Sequence, residues 1–170
     1  PTGTNSVVKT RVPYLDGSFT ALKVVAQTNN ATHGFNFNST YGAGTFVFSC
    51  AVKADGYPRF GIRVYDGATY RIRATFDVIN GQLVINQANV NLPSTTHISP
   101  ISDGWFLVVV SGETISGNFV QGSGVFLEPL PGDKTVQAAY AGDGVSGIVV
   151  ARPQLEVGTQ ATAYQRVTSA

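Results

Sequence analysis

Apolar and polar side chains alternate with period two along much of this chain, and long runs of helix formers are absent. In 45–54, Phe46, Phe48, Cys50 and Val52 fall on one side, and Thr45, Val47, Ser49, Ala51 and Lys53 on the other. In 58–65, Phe60, Ile62 and Val64 alternate with Arg59, Gly61, Arg63 and Tyr65. In 69–78, Tyr70, Ile72, Ala74 and Phe76 alternate with Thr69, Arg71, Arg73, Thr75 and Asp77. Such order sends the first set of each strand into a core and the second onto an outer sheet surface. The same reading predicts strands near 7–12, 19–27, 33–38, 82–86, 104–111, 124–128, 134–140, 146–151 and 161–167. Asp-Gly and Asn-Gly pairs punctuate them at Asp16, Asp55, Asp66, Asn80 and Asp103, where tight turns need positive φ. The stretch Asn86–Pro100 has the weakest pattern and reads as a long loop over one edge. About a dozen short strands so punctuated predict an antiparallel β-sandwich formed as a single domain over 1–170.

Register within the 58–77 hairpin has consequences for charge. A two-residue connection at Asp66-Gly67 would oppose Arg63 to Tyr70 and set apolar against polar faces. A three-residue loop, Asp66-Gly67-Ala68, restores agreement by pairing Val64 with Tyr70 and Arg63 with Arg71. That register collects Arg59, Arg63, Tyr65, Arg71 and Arg73 on one outer face, together with Lys53 from the preceding strand. Five of the eleven basic residues then lie between positions 53 and 73. Like charges opposed on a hairpin cost roughly a few tenths to 1 kcal/mol unless something neutralises them. Two readings follow. Either long Arg stems shield a solvated sheet beside Asp66 or Asp77, or the face is a groove for an anionic, hydroxyl-rich partner. Guanidinium forks suit carboxylates, and a Tyr ring suits the face of a sugar.

Composition narrows the classes. A net charge of +1 argues against a dedicated nucleic-acid binder. The run Phe106–Val110 is too short to cross a membrane. The lone Cys50 has no intrachain partner and reads as a buried structural thiol. A chain that starts at Pro1 and contains no Met is expected to be a piece of a longer protein. Trp105 follows a turn and precedes five apolar residues, so it reads as buried rather than as a sugar platform. His33 and His97 lack metal-ligand spacing and read as satisfied imidazoles. Tyr14, Tyr41 and Tyr57 sit beside turns or prolines and are candidates for a binding rim. The Asp16-Gly17 and Gly142-Asp-Gly144 loops offer oxygen atoms to a structural calcium, although the characteristic ligand spacing is missing. No other cofactor is expected. Glycoside cleavage needs two nearby carboxyls, one with a raised pKa, whereas most acidic residues here belong to Asp-Gly turns. No nucleophile elbow, zinc motif or phosphate loop occurs, so the chain does not read as an enzyme.

Several segments together are similar to a known family. Asp16-Gly-Ser-Phe-Thr-Ala-Leu-Lys-Val24, Thr45-Phe-Val-Phe-Ser-Cys-Ala-Val-Lys-Ala54 and Ile101-Ser-Asp-Gly-Trp-Phe106 occur in that order. They are followed by Ala141-Gly-Asp-Gly-Val-Ser-Gly147 and by Gln154-Leu-Glu-Val-Gly158, a turn expected to lead into the strand Ala161-Thr-Ala-Tyr164. The set resembles the carbohydrate-binding-module-like jelly-roll domains of bacteriophage tail fibres and tailspikes, with a concanavalin-like sandwich. The resemblance implies a non-catalytic module on the virion that contacts host-surface polysaccharide, in a parent protein that is a homotrimer. Within the family such modules also serve as trimerisation or capping domains, and a sugar-binding appendage of a secreted bacterial polysaccharide-degrading enzyme is a third option. It further implies that Gln154, Glu156 and Tyr164 close the fold. Where the family carries a small pair such as Trp-Gly before Gln-Leu-Glu, this chain has Ala151-Arg-Pro153.

Overall fold

The computed structural model describes residues 4–36, 39–40, 43–65, 70–88, 94–114, 118–119, 124–128 and 139–165. Among them are sixteen strands and no helix. The first six are β1 (Thr4–Asn5), β2 (Val7–Val12), β3 (Ala21–Ala26), β4 (Asn30–Ala31), β5 (Gly34–Asn36) and β6 (Ser39–Thr40). There follow β7 (Gly44–Asp55), β8 (Arg59–Tyr65), β9 (Tyr70–Asp77), β10 (Gln82–Ala88) and β11 (Ser94–Pro100). The last five are β12 (Trp105–Thr114), β13 (Asn118–Phe119), β14 (Gly124–Glu128), β15 (Tyr140–Ala141) and β16 (Gly147–Val157).

Two six-stranded sheets dominate, one ordered β1-β5-β14-β8-β9-β10 and the other β11-β12-β7-β16-β3-β2, with every ladder antiparallel. Phe60, Ile62, Val64, Ile72, Ala74 and Phe76 of the first sheet share one buried cluster with Phe46, Phe48, Cys50, Val52, Val108 and Val110 of the second. The architecture is therefore all-β and antiparallel, compatible with a β-sandwich. The inward sets read from alternation, Tyr70 apart, are the ones that face this core; Tyr70 pairs with Tyr65. Phe60 and Phe76, opposite each other in the β8–β9 ladder, stack at 5.5 Å. Cys50 is buried, and desolvation pushes its thiol up to about 12. A disulfide reagent is expected to leave Cys50 unmodified in the native protein and to label it once denaturant is added. Rapid native labelling would contradict this burial.

Three expectations change. Ser94–Pro100 is not part of a loop but an edge strand paired along its length with β12. Thr95, His97 and Ser99 face outward while Ile98 packs against the core, so polarity on the outer side masked its pattern. The Gln154-Leu-Glu-Val segment is not a turn; it continues β16 beyond an irregularity between Ala151 and Gln154. Residues 161–165 form no strand. Of the predicted strand 134–140, Tyr140 belongs to β15, and 134–138 lie outside the described residues.

Candidate functional site

The β8–β9 hairpin carries the cationic face, in a different register from the expected one. Arg63 opposes Arg73, Val64 opposes Ile72, and Tyr65 opposes Tyr70, with an irregularity between Val64 and Tyr65. Arg71 is the extra residue on β9 and is only 5% exposed. The three-residue loop is thus replaced by a longer connection plus a bulge; residues 66–69 lie outside the described set. Both registers keep Ile72, Ala74 and Phe76 facing inward, which is why alternation alone did not distinguish them.

Arg59, Arg63 and Arg73 therefore share the outer face of the first sheet, with Tyr65 at its end. Lys53 does not join them. It lies on β7 of the other sheet, between Trp105 and Val149, and alternates with the core residue Val52. Lys53 thus points away from the opposite side of the core. The chain changes sheets between β7 and β8, around Gly56-Tyr57-Pro58, and sequence neighbours are separated there.

Phe126 sets the local shape of the cationic face. Its cross-strand partners on β8 and β5 are Gly61 and Gly34. A Cβ at Gly34 would stand 2.6 Å from the Phe126 ring, so glycine makes room for it. The ring is 1% exposed and lies outside the shared core, with the Arg63 guanidinium 4.6 Å above its centroid. Arg59 opposes Asp77. Burial tends to raise the Asp77 pKa, but hydrogen bonds from Asn80 and Ile79 and the Arg59 charge outweigh it and hold the carboxyl below its ordinary value. Arg63, Tyr65, Arg71 and Arg73 all make interactions within the chain.

The outer face of the second sheet is occupied by the chain itself. Ala51 and Ala151 are cross-strand partners, and Ala21 continues their row on β3. These small side chains leave space for Tyr14, which meets Trp105 edge-on at 4.8 Å. Trp105 is 5% exposed, as its apolar context predicted, and follows an Asp103-Gly104 turn with φ of 50° and 77°. Tyr14 and Tyr57 are buried rather than forming a rim, and Tyr41 lies outside the described residues.

Arg152 closes this second cluster. At φ 51° in the irregular part of β16, it places its guanidinium 4.5 Å from the Tyr14 ring and 5.5 Å from that of Tyr164. It also bonds the Asp16 carboxylate at 3.0 Å. Thr162 donates to Glu156 through its N–H at 3.1 Å and its hydroxyl at 2.5 Å. The Gln165 N–H donates to Gln154 Oε1 at 2.7 Å. The segment after β16 is therefore strapped over its outer face by Gln154, Glu156 and Arg152. Sequence reasoning missed the part played by Arg152, because its aromatic partners lie far away in the chain.

Two turn carboxyls record this geometry. Hydrogen bonds from Ser18, aided by Arg152, lower Asp16 from 3.8 to about 2. Bonds from Ser146 and Val145 lower Asp143 likewise to about 2. A folded pKa below the unfolded one gives stability that is complete above about pH 4 and is lost as pH falls toward 2. The wild-type melting temperature is expected to fall across that window, and Asp16→Asn and Asp143→Asn to flatten the fall. Parallel melting curves for all three proteins would contradict it. Among the described residues, no group of three His, Cys, Asp or Glu side chains converges as a metal site.

No protein-family model matches the chain, and no match to a curated protein was found.

Proposed function

We propose that this chain is a non-catalytic carbohydrate- or receptor-binding module of the jelly-roll type carried by phage tail fibres and tailspikes. It binds an acidic host-surface polysaccharide through Arg59, Arg63 and Arg73, with Tyr65 at the margin. The observation that carries this reading is the direct opposition of Arg63 and Arg73 in the β8–β9 ladder, with Arg59 on the same face. Two guanidinium groups opposed on one face, each also engaged within the chain, present forked donors that suit the carboxylates of a polyanion. The non-catalytic reading draws on the four described carboxyls whose shifts are resolved. Asp16, Asp77, Asp143 and Glu156 are all held below their ordinary values, whereas a glycosidic general acid needs a raised one. The test is retention of Arg63→Ala, Arg73→Ala and the double variant on immobilised acidic polysaccharide.

A second reading, a trimerisation or capping domain of the same kind of fibre, is favoured by a different observation. Phe19 is 63% exposed and Leu15 37% exposed, both on the loop that delivers Tyr14 to the second sheet. Neither is needed in the core, and both suit a contact with another copy. Light scattering separates the readings: a trimer that Phe19→Ser dissolves, with no retention on polysaccharide, favours assembly.

A further inference from the structure

A pocket of about 190 Å³ opens at the far end of the second sheet from Trp105, on the opposite side of the core from the arginines. Its floor is made where β7 and β12 pair, at Thr45 with Glu113 and along Ser111-Gly112. Thr95 of β11 forms one wall, and Gly158-Thr159, just after β16, the other. The Gly158 N–H donates to the Thr45 carbonyl at 3.1 Å, and the strap anchored at Glu156 holds this turn from behind. The pocket is thus built from four strand ends and a pinned turn.

Its chemistry is selective. The walls are mostly carbon. The Thr95 and Ser111 hydroxyls bond to each other and so meet part of each other's hydrogen-bonding need. Glu113 lines the pocket as well, and its side chain ends in a carboxylate, a hydrogen-bond acceptor. A fully hydroxylated sugar edge would give up water here and recover little, at a cost of about 1–3 kcal/mol per unpaired group. A group that combines a methyl with one N–H donor fits better. The volume gives room for an acetamido substituent with the adjoining ring edge.

We propose that this pocket is a subsite for the acetamido group of an N-acetylated amino sugar, its N–H donated to Glu113 and its methyl set among the Thr and Gly carbons. The inference rests on the reading of the chain as a saccharide binder, but uses none of the residues of the arginine face. The experiment is a titration of the ¹⁵N-labelled chain with N-acetylglucosamine, and separately with glucose, followed through the amide signals. N-acetylglucosamine is expected to shift Gly112, Glu113, Gly158 and Thr159 in a saturable way with a millimolar Kd. Glucose should act at least about fivefold more weakly, the equivalent of one lost hydrogen bond. Glu113→Ala should weaken the acetamido response by a similar factor while distant amides keep their positions. No shift at these four amides, or equal shifts with glucose, overturns the subsite. The Arg63→Ala/Arg73→Ala double variant should titrate like wild type. A normal titration with wild-type retention of that variant on acidic polysaccharide would therefore sink the arginine reading and leave the subsite standing.

Discussion

His33→Ala is expected to lower the stability of the folded chain by about 2–5 kcal/mol, a large part of the 5–15 kcal/mol typical of a domain. His33 is fully buried. Its Nδ1 lies 2.6 Å from the Ser6 carbonyl oxygen and its Nε2 2.9 Å from that of Tyr140. The ring leans on Tyr140 at 4.5 Å, and the backbone carbonyl of His33 accepts from the Leu127 N–H at 2.9 Å. One side chain thus joins the β1–β2 connection, the entry to β5, and β15, which are far apart in sequence. Alanine would remove the single N–H that a neutral imidazole donates to one of these carbonyls, at about 1–3 kcal/mol, and leave a cavity besides, while the Ser6 carbonyl keeps the Gln27 N–H at 3.0 Å. The urea midpoint should fall accordingly. Tyr140→Phe should cost less, since it keeps the ring against His33 and removes only a hydroxyl that bonds the Leu127 carbonyl at 3.3 Å and Tyr57. A shift below about 1 kcal/mol for His33→Ala would mean that other groups satisfy those carbonyls.

The second large effect is on binding. A hydrogen bond to a charged group contributes about 1.5–3 kcal/mol, so either Arg63→Ala or Arg73→Ala should weaken retention on acidic polysaccharide by about tenfold or more. The double variant should lose more, and presentation of several copies would multiply the loss. Rising salt should weaken the wild type in the same direction. Lys53→Ala is the internal control. Its side chain lies on the other sheet, and its retention should equal that of wild type. Arg63→Ala also uncovers Phe126 and is expected to cost about 0.5–1 kcal/mol of stability, too little to unfold the chain. If the double variant is retained like wild type, the hairpin face does not bind the polymer.

How much of this was legible in advance depended on the range of the interactions. The inward positions of β7 and β8, and Ile72, Ala74 and Phe76 of β9, followed from alternation, because successive side chains of a regular strand point to opposite sides whatever surrounds them. Trp105 was legible for the same local reason, being followed by a run of apolar residues. The face containing Arg59, Arg63 and Arg73 was legible in membership but not in pairing. Alternation sets the parity of a register, and the bulge at Arg71 selects between two registers of equal parity. Ser94–Pro100 escaped notice because an edge strand with Thr, His and Ser outward resembles a polar loop in sequence.

By itself, then, the sequence determined an all-β antiparallel chain, its inward residues and a concentration of arginines on one hairpin. Each of these is a property of adjacent residues. Tertiary structure alone decided that Lys53 leaves that face and that Tyr14 is buried over three alanines. It also decided that Arg152 clasps two rings and a carboxylate brought from opposite ends of the chain. These outcomes depend on where the chain changes sheets and which segment lies over which, and no local periodicity carries that information.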